Sequence, residues 1–410
     1  MLDAPKGLRR HIAILGRMNA GKSSLVNALA RQQVAIVAAH PGTTTDPVEK
    51  TMELAPLGPV VLVDTAGMDD AGELGSLRAR RSEGIMARSD CAILVADGGQ
   101  WGETERKIAK SLITAQLPFM VARNKADQGA LPPLAEWRKL AGLPATVPVV
   151  DISAKAGTGM EALLDGLASL QKPERERPLM ADLLPDGGVA VLVVPIDSGA
   201  PKGRLILPQV QAIRDCLDGR KICMICTEGE LEDAFGKLKD APDLVVCDSQ
   251  VVHKVAALTP LDIPLTTFSI LMARFKGNLA KFARGAGILE RLNPGDCVVI
   301  QEACSHHPQE DDIGRVKIPR LLAKKAGGPL KVEIQAGKEL ADYPEDARVV
   351  VHCGACVITR GQMEIRQARA EKASVPMTNY GMAISACQGV LERTLAPFPE
   401  ALAEWRKAAA

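Results

Sequence analysis

The chain has 410 residues, too many for one ordinary hydrophobic core. Since domains usually have roughly 100–200 residues, this length predicts two to four domains. Its composition, 47% hydrophobic and 24% charged residues, is typical of a globular protein in water. A net charge of +1 without any basic block argues against a nucleic-acid-binding module. The first residues lack an apolar signal core and no apolar run approaches about 18 residues, which predicts a cytoplasmic protein without membrane contact.

Strand-like apolar runs alternate with helical segments along the chain, which predicts α/β architecture with mostly parallel sheets. We expect an N-terminal domain over residues 1–172, a charged, proline-bounded linker over 173–188, and two smaller α/β domains over 189–266 and 267–410. After the linker, the patterns predict strands at 190–196, 221–226, 244–247, 298–300, 332–334 and 349–351, and helices at 208–217, 230–238, 249–258, 279–292, 313–325 and 383–391.

A phosphate-binding loop follows the first apolar run. Residues 16–23 match G-x-x-x-x-G-K-[ST], with a strand-like run before the motif and a helical segment after it. Lys22 is expected to reach the β- and γ-phosphates of a nucleotide, and the Ser23 hydroxyl to bind Mg²⁺. The nucleotide-binding residues predicted from this loop are Asn19, Ala20, Gly21, Lys22, Ser23 and Ser24.

Three further motifs follow in the order that a GTP-binding domain requires. Asp64 ends an apolar run and can hold Mg²⁺ through water, and Gly67 can offer its backbone N–H to the γ-phosphate. Asp127 can accept both the ring N–H and the exocyclic amine of guanine, a pair that adenine cannot supply. The base-binding residues predicted from the last two motifs are Asn124, Lys125, Asp127, Ser153, Ala154 and Lys155. Together the motifs predict binding and hydrolysis of GTP.

With these motifs the sequence resembles the translation-factor-like GTPases, especially the Era and TrmE-type branch. Residues 41–46 look like the switch I of that branch, which implies that Thr44 binds Mg²⁺ and that Asn19 helps to bind an activating K⁺. Met68 stands where Ras-like proteins carry a water-orienting glutamine, so we expect slow hydrolysis activated by a monovalent cation. Asn19 could instead be a simple turn residue. The predicted catalytic residues are Lys22, Thr44, Asp64 and Gly67.

Two segments of the C-terminal block concentrate cysteine and histidine. They follow the strands predicted at 298–300 and 349–351, and they hold Cys304, His306, His307, His352, Cys353 and Cys356. C-x-x-C is a metal-chelating spacing, and the carboxyl ends of parallel strands are where α/β sheets place ligand sites. Three cysteines leave the fourth ligand open among the histidines and the acids at 310–312. A Cys₃His zinc site and buried, purely structural cysteines are the alternatives.

The remaining cysteines give no such pattern. In a reducing compartment the ten cysteines of the chain are not expected to form disulfides. Cys223 and Cys226 share a C-x-x-C spacing, but they lie in a strand-like run where residues three apart point to opposite faces, so we expect core positions for both.

The Met68-type GTPase motifs joined to C-x-H…H-C-x-x-C resemble, over the whole chain, the HydF family of FeFe-hydrogenase maturation GTPases. The resemblance implies a 4Fe–4S cluster on Cys304, Cys353 and Cys356, with His306, His352 or Asp311 as a possible fourth ligand. It also implies that residues 189–266 form a dimerisation domain and that residues 267–410 bind the cluster.

The role that the resemblance implies is that of a scaffold within a homodimer or a higher homo-oligomer. Such a scaffold receives a di-iron precursor from the radical-SAM maturases HydE and HydG and delivers it to the FeFe-hydrogenase. Two other functions compete with this interpretation. An RNA- or ribosome-associated GTPase would carry a basic appended domain, which the sequence lacks, and a zinc-dependent regulatory GTPase would use the same cysteines for zinc.

Overall fold

The computed structural model describes residues 9–31, 48–64, 84–86, 88–170, 178–196, 203, 205–303, 312–337 and 341–410. The chain divides into two compact units, Met1–Arg175 and Glu176–Ala410. Across the ranges just given, no helix combines the length and the apolar composition needed to cross a bilayer.

The first unit is built on a sheet whose described strands run in the order β2-β3-β1-β4-β5-β6. All neighbours in it are parallel except β2 and β3, which pair antiparallel. The strands are β1 (Arg10–Leu15), β2 (Val48–Leu54), β3 (Gly58–Asp64), β4 (Cys91–Asp97), β5 (Phe119–Asn124) and β6 (Val149–Asp151). The central strands are continuous apolar runs because helices cover both faces of a parallel sheet.

The helices of the first unit cover two separate buried clusters of side chains. Their bounds are Lys22–Arg31, Glu103–Thr114, Leu134–Ala141 and Met160–Ser169. Local signals fix their ends. The Glu105 carboxylate accepts the N–H of Gly102 at 2.9 Å and so caps one start, and Gly142 ends another helix at a φ of 65° that favours glycine.

The second unit holds two parallel sheets of four described strands each, in the orders β10-β9-β7-β8 and β12-β11-β13-β14. The strands of the first are β7 (Val189–Val193), β8 (Ile222–Cys226), β9 (Leu244–Cys247) and β10 (Leu265–Thr267). Those of the second are β11 (Cys297–Glu302), β12 (Lys331–Ala336), β13 (Ala347–His352) and β14 (Met377–Asn379). The predicted fold class, a P-loop domain followed by two mostly parallel α/β domains, is confirmed.

Helices surround both sheets of the second unit. Their bounds are Leu207–Asp218, Leu231–Lys237, Val252–Leu258, Phe268–Lys276, Leu279–Ile288, Ile318–Ala326, Arg360–Lys372, Tyr380–Cys387, Leu391–Leu395 and Pro399–Ala409. One buried cluster contains side chains from both sheets, Leu192 and Val246 on one and Val299 and Val350 on the other. A shared hydrophobic core therefore extends across residue 266, where we predicted a domain boundary. The boundary itself stays a prediction.

The helix predicted at 313–325 has an irregular start. Residues Ile313–Lys317 form a π-helical turn, in which the Lys317 N–H donates to the Asp312 carbonyl, before the α-helix Ile318–Ala326 begins. Pro319 explains the change, because it lacks an N–H and its ring would clash with the carbonyl four residues earlier in a continuing α-helix.

Strand β8 lies at an edge of its sheet, and its two cysteines point to opposite faces as predicted. Cys223 packs against the larger core of the unit, and Cys226 against the smaller cluster on the other face. Both cysteines are half-buried, since β8 has a neighbour on one side only among the described strands.

Candidate nucleotide and metal sites

The phosphate loop of the first unit needs its glycines. A Cβ on Gly16 would lie 2.4 Å from the Val95 carbonyl oxygen, and one on Gly21 would lie 2.2 Å from Asn124 Nδ2. Both glycines also have positive φ angles, 149° and 95°. Close backbone approach therefore explains why the motif has glycine at these two positions.

Lys22 is 4% exposed, and its ammonium lies inside the loop. Its Nζ donates to the carbonyl oxygens of Gly16 at 2.8 Å and Arg17 at 2.9 Å. Ser23 and Ser24 follow in the first turn of the helix Lys22–Arg31. A cation beside a helix N-terminus fits a ligand that brings phosphate oxygens.

Asn124 joins the phosphate loop to the base-binding segment. It is 2% exposed at the end of β5, and its Nδ2 donates to the Ala20 carbonyl at 2.9 Å. Its Oδ1 accepts the N–H of Ala154 at 2.9 Å. The side chain predicted to bind the nucleotide thus also holds two of the predicted binding segments together.

Asp127 is exposed and carries a hydrogen bond that keeps it ionised. Ser153 Oγ donates to Asp127 Oδ1 at 2.6 Å and accepts the N–H of Ala156 at 3.0 Å. The hydrogen bond from Ser153, and more weakly the charge of Lys155, hold the pKa of the Asp127 carboxyl below its usual range. An ionised carboxylate is what two donors on a guanine edge require.

Lys125 lies between these groups in a left-handed conformation, at a φ of 66°. Its Nζ pairs with Asp97 Oδ2 at 3.0 Å, and Arg17 lies 3.4 Å from the same oxygen. Asp97 was not predicted as part of the site. The signal for it was available, since it ends the buried strand β4 at the same sheet edge as the phosphate loop.

Several predicted residues of the nucleotide site lie outside the described residues: Thr44, Gly67 and Met68. Asp64 is the last residue of β3, in register with Ile14 of β1, so its backbone lies beside the start of the phosphate loop. Asn19 is exposed in that loop at a φ of 61°.

In the second unit, β11 and β13 are parallel neighbours, which the predicted metal site requires. The N–H of Ala303, just past β11, donates to Cys353 Sγ at 3.2 Å, and the N–H of Cys353 donates to the Gln301 carbonyl at 2.8 Å. Cys304 follows Ala303 in the sequence. Cys304, His306 and Asp311 lie outside the described residues, and within the described part no three metal-binding side chains come together.

Cys356 is reached by a tight turn from Cys353. Ala355 has a φ of 56°, and burial raises the pKa of the Cys356 thiol, while the charge of Lys276 and backbone N–H groups partly oppose this shift. Lys276 is 2% exposed, and its Nζ donates to the Ile358 carbonyl at 2.8 Å. A buried cation and backbone N–H donors around the sulfurs suit a negatively charged metal–thiolate group.

Both ring nitrogens of the fully buried His352 have partners. Nδ1 lies 2.8 Å from the Cys353 carbonyl oxygen and Nε2 lies 3.2 Å from Arg366 Nη1. A carbonyl only accepts and a guanidinium only donates, so Nδ1 carries the proton and Nε2 accepts. Burial, and then the charge of Arg366, lower the pKa of His352 to about 3. His352 therefore orients the Cys353 backbone.

Comparison with protein families matches three successive parts of the chain. A model described as "50S ribosome-binding GTPase" matches residues 11–125, "Hydrogen maturase F dimerization domain" matches 179–277, and "Hydrogen maturase F tetramerization domain" matches 280–397. The last two matches meet at 277–280, beyond the boundary predicted at 266.

Curated relatives match the N-terminal part. The tRNA modification GTPase MnmE of Chloroflexus aurantiacus is 37% identical over 159 residues, 38% of this chain and 34% of that protein. GTPase Era of Xanthomonas oryzae pv. oryzae is 33% identical over 184 residues, 43% of this chain and 59% of that protein. The chain thus spans about a third of the length of the MnmE relative.

Among solved structures, the G domain of the FeoB iron transporter of T. maritima is matched over 40% of this chain and 98% of that one. The identity is 24% and the TM-score is 0.31.

Proposed function

Because the chain belongs to the hydrogen maturase F family and carries a GTPase domain, we propose that it is a GTP-hydrolysing scaffold that binds a 4Fe–4S cluster. In this proposal it accepts a di-iron precursor and delivers it to an FeFe-hydrogenase. The observation that carries the cluster assignment is the 3.2 Å hydrogen bond from Ala303 N–H to Cys353 Sγ, since Cys304 is the next residue.

The cluster ligands in this proposal are Cys304, Cys353 and Cys356. For the fourth position, His306 and Asp311 are favoured over His352, because both ring nitrogens of His352 are already hydrogen-bonded within the protein. A cluster held by three thiolates keeps one iron open to an exchangeable ligand. That arrangement suits a carrier of a second metal fragment, and when bound the cluster would supply the attachment point for it.

The test is anaerobic reconstitution with iron and sulfide, followed by iron analysis and visible and EPR spectra. Wild type is expected to turn brown, and the triple variant Cys304→Ala, Cys353→Ala, Cys356→Ala to stay colourless. The matched control is Cys223→Ala with Cys226→Ala, which removes the other C-x-x-C pair. A triple variant with a full iron complement would overturn the assignment, and a colourless zinc-loaded wild type would favour the zinc alternative.

The GTPase proposal adds a role for the loop asparagine. GTP and Mg²⁺ binding follow from the GTPase domain, and GTPase relatives support hydrolysis. Beyond this, Asn19 is proposed to help bind K⁺, which would supply positive charge at the transferred phosphate. Its exposed side chain on the phosphate loop supports this role.

The domains named for dimerisation and tetramerisation support a homo-oligomer. The proposed contact is the edge strand β8, where Ile222 is 58% and Ile225 46% exposed. The adjacent helix Leu207–Asp218 adds Leu217, which is 62% exposed. A second copy of the chain would cover these apolar side chains and pair with the edge of β8 that has no neighbour among the described strands.

The partners in the proposed pathway are HydE and HydG on the supply side and the FeFe-hydrogenase on the receiving side. The direct test is activation of a hydrogenase that lacks its di-iron fragment, by this protein purified from cells that also produce HydE and HydG. Activation by wild type and none by Cys353→Ala is the expected result. Equal activation by both proteins would contradict a role for the cysteine site in delivery.

A further inference from the structure

Tyr380 lies at the same sheet edge as the cysteine site. It is the first residue of the helix Tyr380–Cys387, which directly follows β14. Strands β13 and β14 are parallel neighbours with His352 opposite Asn379, and Cys353 and Tyr380 directly follow the ends of these two strands. Tyr380 therefore approaches the cysteine site from the side opposite to Ala303.

The Tyr380 hydroxyl is buried, and among the described residues it has no hydrogen-bond partner. Leaving a buried hydroxyl without a hydrogen bond destabilises a folded protein, so such a group calls for an explanation. The nearby carboxylate of Glu302 is already paired with Arg315, at 2.7 Å. A phenol is protonated at neutral pH, so this hydroxyl can act as a hydrogen-bond donor.

The structure makes room for this hydroxyl. A Cβ on Gly314 would lie 2.0 Å from the Tyr380 oxygen, so only glycine fits there. Gly314 belongs to the π-helical turn Ile313–Lys317, which begins at the buried Asp312. The glycine of this turn therefore packs against a hydroxyl that has no partner among the described residues, and the register of β13 with β14 places Tyr380 one residue past the strand neighbouring the one that leads into Cys353.

We propose that the Tyr380 O–H donates a hydrogen bond to a sulfur atom of the metal centre, either the Cys353 thiolate or a sulfide of the cluster that it binds. The inference rests on the cluster assignment made above and adds a tuning residue to it. Hydrogen bonds to sulfur stabilise the more negative, reduced form of an iron–sulfur cluster and so raise its reduction potential.

The experiment is an EPR-monitored redox titration of the reconstituted full-length protein. The Tyr380→Phe variant should keep its iron but have a lower midpoint potential. We expect the ratio of reduced to oxidised cluster at a fixed potential to fall about tenfold, which corresponds to 59 mV for a one-electron couple. Tyr343→Phe is the matched control, because it removes the only other tyrosine hydroxyl of the chain, one that already donates to Gln301. An unchanged potential in Tyr380→Phe, or an equal fall in both variants, would overturn the proposal.

A second measurement keeps Tyr380 in place and tests the proposal even if the Tyr380→Phe variant does not fold. In the Tyr343→Phe background Tyr380 is the single tyrosine, so growth on 3-fluorotyrosine labels that position alone. The ¹⁹F resonance should shift between the cluster-free and the cluster-loaded protein, and a resonance that does not move would overturn the proposal. A wild type that takes up no iron is a distinct result, since it refutes the cluster assignment before any tyrosine is changed.

Discussion

Asn124 Nδ2 donates a hydrogen bond to the carbonyl oxygen of Ala20 at 2.9 Å, although 104 residues separate the two in sequence. The other end of the same amide accepts the N–H of Ala154. The phosphate loop and the segment that should contact the base are therefore tied to each other by one buried side chain, before any nucleotide atom is considered.

Replacing that side chain should disturb both segments at once. Asn124→Ala leaves a buried carbonyl and a buried N–H without their partner, so we expect the free energy of unfolding to fall by about 1–3 kcal/mol and GDP affinity to fall at least tenfold. Urea denaturation and fluorescent-GDP titration measure the two effects. Asn27→Ala is the control, since within the described part of the chain Asn27 accepts one exposed hydrogen bond, from Lys50 Nζ. Unaltered GDP affinity in Asn124→Ala would contradict the bridging role.

The hydrogen bond from Ser153 to Asp127 makes a prediction about pH. A lowered pKa means that the carboxylate persists as the pH falls and is lost only below the usual Asp value of about 4. In Ser153→Ala the pKa should rise, so protonation, and with it loss of guanine preference over adenine, should begin at a higher pH. The ¹³C titration of the Asp127 carboxyl reports this directly.

The matched control for the pH experiment is Ser169→Ala, which removes an exposed hydroxyl that donates to a local carbonyl of the same unit. In this control variant the ¹³C titration of the Asp127 carboxyl should match that of wild type. Identical Asp127 titrations in Ser153→Ala and wild type would show that the hydrogen bond has no influence on the charge of the carboxylate predicted to bind the base.

The loop asparagine permits a clean test of K⁺ activation. Asn19 has a φ of 61°, which glycine adopts freely and alanine does not, so Asn19→Ala would mix backbone strain with loss of the amide. Asn19→Gly keeps the backbone and removes only the side chain. We expect wild type to hydrolyse GTP faster in K⁺ than in Na⁺ and Asn19→Gly to be equally slow in both salts. A K⁺ preference retained by the glycine variant would rule out Asn19 as a K⁺ ligand.

His352 should affect stability rather than the iron. His352→Leu leaves the buried Arg366 Nη1 without its acceptor, so the free energy of unfolding should fall by about 1–3 kcal/mol. His352→Gln keeps an acceptor, so its free energy of unfolding should fall by less. Both variants should keep the iron content and EPR spectrum of wild type. His253→Leu, at an exposed position, is the control. A changed spectrum in the glutamine variant would instead make His352 a ligand.

Strand β8, which has a neighbour on one side only among the described strands, predicts the interface between copies. Ile222→Lys with Ile225→Lys places two charges on the proposed contact, so the mass measured by light scattering should fall to that of a smaller species. Leu140→Lys, which changes a 72% exposed leucine of the first unit, should leave the mass unchanged. A double variant with the mass of wild type would place the interface elsewhere.

The sequence predicted most strands of the second unit to within a few residues, because long apolar runs leave a clear periodicity. The short strands β10 and β14 were missed, since three residues carry no period. The helix Arg360–Lys372 was missed for another reason. It buries the polar side chains Gln362, Arg366 and Gln367. Arg366 and Gln367 hydrogen-bond to His352 and Asn278 on other elements, and Gln362 caps its own helix, so the buried face of this helix lacks an apolar pattern.

At both candidate sites, the sequence motifs indicate the functional residues but not the neighbouring residues that position them. Tyr380 is 24 residues beyond Cys356, and the pairing of β13 with β14 brings it next to Cys353, while Arg366 reaches His352 from the helix between these strands. No spacing rule links such residues. The bridging role of Asn124 was hidden in the same way, because it depends on a contact across 104 residues.

The bond from Ala303 to Cys353 spans 50 residues, and β12 lies between the two in sequence. A chain emerging from the ribosome has β11 long before β13, and the sulfur of Cys353 meets that amide only after the parallel crossover has closed. If the proposed cluster binds there, we expect its uptake to come after this crossover during biosynthesis. A peptide that carries the C-x-x-C turn alone should bind iron weakly, and chelators should act most strongly on newly made chains.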